Sequence, residues 1–247
     1  MAASAIAVRS LFALTLSSIP AATVLYTGII DPNITLRVEP VGTFTGLEMV
    51  IEYSYMYANP TGPAYLVVPL SYAMRRFTAS RPIAVATIDY VYLNAVTGTT
   101  TNLTFEQWFR FDNYSRIVAA DFTIDRFAEY TSALGLDDVI AAVPSFPTLL
   151  KNIVCQAALN YCRLPPLQQY TDMQTCMDFL STVPLVNTLR IQSNTVLCRY
   201  WHAALLAVAP AVHCPHVGVS GGGMCVDEPY STYYSASPFA VGTFGSQ

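Results

Sequence analysis

Marking the apolar positions divides the chain into two regions with different periods. Between about residues 24 and 132, apolar and polar side chains alternate in runs. These are Ile34-Thr35-Leu36-Arg37-Val38-Glu39, Tyr65–Val68, Ile83–Leu93, Leu103–Phe111 and Ile117–Ile124. Successive side chains on a strand point to opposite faces, so a period of two marks a sheet with one buried face. Turn-forming residues separate the runs at Asn59-Pro60-Thr61-Gly62-Pro63, Thr97-Gly98 and Asp112-Asn113. One stretch breaks the alternation: Gly46–Tyr55 sets Leu47, Val50, Ile51 and Tyr55 on one helical face, behind Thr45 as a cap. An extended piece, a helix and then several long strands predict an α+β domain over residues 24–135, a curved antiparallel sheet packed on a helix.

Past Gly135 the pattern changes. Residues 136–150 contain Pro144 and Pro147 and read as a linker with one helical turn. Residues 151–230 then form a small helix-rich module that carries every cysteine. Asp172–Leu180 is a capped amphipathic helix, and Asn194–Val208 is another, with Cys198, Trp201, Leu205 and Val208 along one side. The ends are separate segments. Residues 1–23 are apolar, with Arg9, Leu11–Ile19 and Pro20-Ala21-Ala22 in the order of a secretory signal; the other reading is a retained packing arm. Ser17, Ser18, Pro20, Thr23, Tyr26 and Thr27 make this stretch a poor bilayer span, so no membrane contact is expected beyond a signal segment. Residues 231–247 are an uncharged, tyrosine-rich tail.

The run Asp31…Val38-Glu39-Pro40-Val41-Gly42-Thr43-Phe44-Thr45-Gly46-Leu47-Glu48-Met49-Val50-Ile51 resembles the entry to the third helix of SnoaL-like domains, in the cone-shaped superfamily of nuclear transport factor two. Glu106–Asp112 with Arg116–Asp121 is similar to that family's last two long strands, so the resemblance covers roughly residues 24–130. It implies a cone whose interior serves isomerase or cyclase chemistry in some members and binding or assembly in others. Acid–base members use an Asp–His or Asp–Tyr set. Residues 24–132 contain no histidine, which excludes the first and leaves Asp89 or Asp121 beside Tyr53, Tyr57 or Tyr90. A cone pocket here would be lined by Tyr53, Tyr57, Trp108 and Phe111, with Asp121 inside. The plainer account has these carboxylates facing solvent and the tyrosines packing the core.

Composition narrows the function. Of 247 residues, 53% are hydrophobic and 11% charged, against roughly 25% charged in an ordinary soluble domain. The 16 Tyr and 12 Phe exclude a disordered chain. Twelve basic residues against 16 acidic ones cannot track a phosphate backbone, which excludes a nucleic-acid partner. So low a charge leaves a hydroxyl-rich surface suited to lasting contacts with neighbours.

The six cysteines are Cys155, Cys162, Cys176, Cys198, Cys214 and Cys225. An even count in a short stretch, with no CxxC pair, reads as a disulfide framework of open connectivity. Acceptor sequons at Asn33, Asn102 and Asn113 agree with an extracellular or cell-surface location by the secretory pathway. All three histidines fall near these cysteines, at His202, His213 and His216, and supply three nitrogens suited to zinc or copper. Their spacing fits no common ligand pattern, and the plainer account is disulfides with structural histidines. The segment Cys198–Cys225 resembles a Cys/His-rich module of secreted proteins of eukaryotic microbes. Gly221-Gly222-Gly223 lacks the Gly-Lys-Ser/Thr ending of a phosphate loop, and no cofactor is expected.

The leading expectation is a secreted, N-glycosylated structural glycoprotein, not an enzyme, that self-associates as an extracellular filament or surface-coat subunit. Its partners would be copies of itself and N-linked glycans. The alternatives are a small-molecule-binding or isomerase-type domain using the cone pocket, and a secreted His-ligated metalloprotein.

Overall fold

The computed structural model describes residues 28–39, 41–47, 49–50, 53, 67–94, 98–133, 145–187, 190, 192–207, 209–229 and 239. Residues 1–23, Ile51, Tyr55, Tyr57 and, apart from Phe239, the tail 231–247 lie outside them. The described residues up to Leu134 belong to one compact unit and those from Gly135 to Pro229 to another. Among the described residues, no helix is long and apolar enough to cross a membrane.

The first unit is a six-stranded sheet: β1 (Ile30–Glu39), β2 (Gly42–Thr45), β3 (Val67–Ser80), β4 (Ile83–Asn94), β5 (Thr100–Phe111) and β6 (Ile117–Ile124). Their order across the sheet is β2-β1-β6-β5-β4-β3. Neighbours are antiparallel except at one seam, where β1 runs parallel to β6 with Leu36 opposite Ala120 and Val38 opposite Phe122. A helix, α1 (Phe127–Ala133), follows and packs on β5. The mixed α+β class and the long strands agree with the alternation. β4 buries every second residue from Ala84 to Asn94 without interruption. One strand went unread and another was read only at its start. β2 is short, and β3 extends to Ser80, well past Val68. β3 is an edge strand with Pro69, Arg75 and Arg76, and register shifts fall at Pro69/Ser71 and Met74/Arg76. Edge strands carry such residues to discourage pairing with other chains, and each bulge resets the period, so the alternation is hidden there.

The expected helix follows β2, and its described residues are helical. Gly46, at φ +90°, lets the chain leave the sheet while its N–H still donates to the Ile34 carbonyl at 2.8 Å. Leu47, Met49, Val50 and Tyr53 are helical, and the Val50 N–H donates to the Gly46 carbonyl at 3.1 Å. Tyr53 is buried and stacks on Phe44 with ring centroids 4.3 Å apart.

The second unit holds α2 (Phe146–Tyr161), α3 (Met173–Leu180), α4 (Val196–Ala203) and α5 (Pro210–Val217), then a tight 3-10 turn at Gly221–Gly223. Pro147 sits in the first turn of α2, where its missing N–H costs nothing; the segment read as a linker therefore ends in a helix start. α3 carries the expected cap: Asp172 Oδ1 accepts from the Thr175 N–H at 2.8 Å, and the Asp172 N–H donates to Thr175 Oγ1 at 3.3 Å. α4 begins behind Thr195, whose Oγ1 accepts from the Cys198 N–H at 3.1 Å. It ends at Ala203, short of the expected Val208.

All six cysteines pair, as Cys155–Cys176, Cys162–Cys214 and Cys198–Cys225. The first bridge joins α2 to α3, the second joins the end of α2 to α5, and the third joins α4 to the segment after the glycine turn. Peptide mapping without reduction is expected to return these three pairs and no others. Removing Cys162–Cys214, whose partners are 52 residues apart, as C162A/C214A is expected to cost about 4 kcal/mol on the chain-entropy account. Urea unfolding measures this, and an unchanged midpoint would show that the bridge does not constrain the unfolded chain.

Candidate functional site

Cross-strand register sorts the first unit's side chains onto two faces. The inner face carries Leu36 and Val38 of β1, Ala84, Ala86, Ile88, Tyr90 and Tyr92 of β4, Leu103, Phe105, Gln107 and Phe109 of β5, and Ala120 and Phe122 of β6. All are buried. Tyr90 meets Phe105 edge-on at 5.4 Å and Tyr92 at 5.7 Å, and Phe109 meets Phe122 edge-on at 5.4 Å. Gln107 is the one amide in the middle of this wall, 2% exposed, with Ala86 and Phe122 as its cross-strand neighbours. Among the described residues its Oε1 has no hydrogen-bond partner. A buried acceptor without a donor is costly, and here it faces an aromatic surface. Gln107 was not singled out in the sequence, yet the signal is there: one amide at an inward position between Phe105 and Phe109.

The pocket expected from Tyr53, Tyr57, Trp108, Phe111 and Asp121 is not assembled as a set. Tyr53 lies against Phe44 of the inner face, and Phe111 is buried beside Phe109. Trp108 and Asp121 are direct cross-strand partners, one position out of phase with Phe109 and Ala120, and so stand on the other face. Trp108 is 42% exposed. Asp121 accepts two hydrogen bonds from Arg37, from Nε at 2.9 Å and Nη2 at 2.5 Å. Asp89 accepts from Arg75 Nε at 2.6 Å and from Thr104 Oγ1 at 2.9 Å. Both carboxylates are held in partly solvated pairs across the sheet from Tyr53 and Tyr90, which separates the members of the expected acid–base set. Tyr57 falls outside the described residues.

The three sequon asparagines, Asn33, Asn102 and Asn113, are all exposed.

In the second unit the histidines converge. His202 is in the last turn of α4, and His213 and His216 are three apart on α5, hence on neighbouring positions of one helix face. The Nδ1 atoms of His202 and His213 lie 3.1 Å apart, and those of His216 and His202 lie 3.3 Å apart. The residues are 5%, 0% and 7% exposed, in that order down the chain. Burial, reinforced by the neighbouring imidazoles, holds His202 well below the ordinary histidine range and brings His216 down to about 4. Both rings are therefore neutral at pH 7. The three rings thus come into contact with one another.

Arg199, one turn before His202 and unremarked in the sequence, is fully buried. Its Nε donates to the Gly218 carbonyl at 3.2 Å and its Nη1 to the Thr195 carbonyl at 3.1 Å, and its guanidinium lies over Phe179 at 5.0 Å. The Tyr170 hydroxyl donates to the Val217 carbonyl at 2.8 Å, and burial pushes it up to about 12. These groups tie α4 to the end of α5 through backbone carbonyls and to α3 through the Phe179 ring.

Comparison with known proteins gives the chain its kin. Residues 14–122 match the BfoA N-terminal domain and residues 118–228 the BfoA family C-terminal domain. The "Bifonsecin B biosynthesis cluster protein A" of Aspergillus brasiliensis is 31% identical over 211 residues, 81% of this chain and 70% of that protein. The chain belongs to the BfoA family. A second member, the "Aurasperone B biosynthesis cluster protein A" of Aspergillus niger, is 32% identical over 203 residues, covering 78% of this chain and 66% of its own length. Among solved structures, a SnoaL-like protein of Jannaschia sp. CCS1, assigned as a polyketide cyclase, is 11% identical. It covers 53% of this chain and 90% of its own at a TM-score of 0.43. An LEH-like epoxide hydrolase of M. tuberculosis is also 11% identical, covering 58% and 98% at a TM-score of 0.42. At these scores neither carries an argument about activity. The family relatives correct the leading expectation: proteins named for biosynthesis clusters, not coat or filament subunits, are what this chain is related to. Low surface charge was a poor guide because it reports general stickiness and not what is bound.

Replacing Gln107 with methionine keeps the volume and removes the orphan acceptor. Q107M is expected to raise stability by about 1 kcal/mol, read as a higher melting temperature. A fall would show that the amide is satisfied in the folded protein.

Proposed function

We propose that this BfoA-family protein serves a secondary-metabolite biosynthetic pathway by binding a small aromatic intermediate on the inner face of its sheet. Kinship with the bifonsecin B and aurasperone B cluster proteins carries this reading. The site chemistry supports it. Phe105, Phe109, Phe122, Tyr90 and Tyr92 provide ring faces and edges, and Ala84, Ala86 and Ala120 provide flat low-lying positions between them. Gln107 Oε1 supplies one directed acceptor. Such a wall selects a flat, largely apolar ring system with a hydroxyl to donate. The role is binding and orientation of the ring system, since the carboxylates weighed for acid–base work, Asp89 and Asp121, occupy the other face. The three disulfides and the exposed sequon asparagines support a place in the secretory pathway, with an oxidising interior.

Disruption of the gene in its native host, followed by metabolite profiling, tests the reading. The pathway is expected to stop or divert at one aromatic intermediate. That compound is expected to raise the melting temperature of the wild-type protein and to act more weakly on Q107M, by the roughly 10-fold that one hydrogen bond confers. An unaltered metabolite profile would overturn the proposal.

A further inference from the structure

We propose that His202, His213 and His216 form a binding site for one transition-metal ion, copper or zinc, coordinated by the three Nδ1 atoms. The inference rests on the second unit alone and is independent of the ligand proposed for the sheet.

The distances come first. Imidazole nitrogens bind zinc at roughly 2.0–2.1 Å, and three of them in a near-tetrahedral arrangement stand about 3.3 Å from one another. The Nδ1 atoms here are separated by 3.1 Å and 3.3 Å about His202, and the three side chains offer ligand atoms that all lie within 4.8 Å of one another. Hydrogen bonding does not account for this arrangement. A neutral imidazole nitrogen carries either a proton or a lone pair. His202 Nδ1 faces two other Nδ1 atoms, and its one proton or one in-plane lone pair makes a well-directed hydrogen bond with one neighbour only. A cation at the centre accepts from all three lone pairs and uses every contact.

The donor set then limits the ion. Every cysteine is in a disulfide, so Cys198 and Cys225, although close to His202, offer no thiolate. Among the described residues the clustered group contains no carboxylate. Three imidazoles without oxygen donors suit copper and zinc and not calcium or magnesium, which take oxygen ligands.

The scaffold holds the donors in place. Cys198, one turn before His202 on α4, is bridged to Cys225, and Cys214, adjacent to His213 on α5, is bridged to Cys162. Gly222, at φ +57°, sits against the third ligand: a Cβ there would come within 2.7 Å of His216 Cδ2 and of the Pro215 carbonyl carbon. The glycine that resembled no phosphate loop is needed where the backbone passes the His216 ring.

The test uses tag-free protein with its disulfides intact, stripped by chelator and titrated separately with Zn²⁺ and Cu²⁺ by calorimetry. Saturable uptake of one ion per chain is expected from at least one of them, with a rise in melting temperature. H202N and H216N are expected to weaken binding by more than the roughly 10- to 100-fold that loss of a supporting outer group costs. Because a substituted core can fail to fold, nitrogen NMR of histidine-labelled wild-type protein gives a second readout. Zinc is expected to shift three Nδ1 resonances together. No saturable uptake of either ion, uptake unchanged in folded H202N and H216N, or zinc-saturated protein with unshifted histidine nitrogens would each overturn the site.

Discussion

A polar group taken out of water must be met by another inside the protein, and the interiors of both units are arranged around how that demand is answered. Arg199 is met by backbone carbonyls and an aromatic face, which draws α3, α4 and the end of α5 around one guanidinium. The histidines meet one another, with two contacts converging on His202 Nδ1. Gln107 Oε1 is met by no donor among the described residues. In a chain with few charges these buried groups stand out, and even Arg199 is met only in part, since among the described residues its Nη2, like Gln107 Oε1, has no hydrogen-bond partner.

The parts of the fold that repeat were legible in the sequence. Alternation over Ile83–Leu93 and Leu103–Phe111 marked β4 and β5, and the Asp172 cap marked α3. What escaped notice was set by partners distant in sequence. β3 lost its period at two bulges on an exposed edge, and the parallel seam between β1 and β6 depends on a return of the chain from Glu39 to Ile117 that no local pattern records. Pro147 read as part of a linker, although a proline in the first turn of a helix costs nothing.

The site was legible in residue types and not in placement. Trp108 and Phe111 are three apart, an odd step that on a strand puts them on opposite faces, and Asp121 follows Trp108. The carboxylates belong to surface pairs with Arg37 and Arg75. The histidine trio could be named from the sequence but not assembled, because His202 meets His213 and His216 only after the chain reverses between α4 and α5. Pairing of the cysteines was correctly expected to remove sulfur as a ligand; it also fixes the two helices that bring the nitrogens together.

The order of the bridges along the chain has a further effect. Cys162 lies between Cys155 and Cys176, and Cys198 lies between Cys162 and Cys214, with Cys225 beyond. Each covalent loop thus overlaps the next along the sequence. A protease that nicks any one peptide bond between Cys155 and Cys225 leaves two pieces still joined by at least one bridge. The histidine ligands and the buried arginine would then remain on one covalent molecule after a cut that would release a fragment from an uncrosslinked bundle.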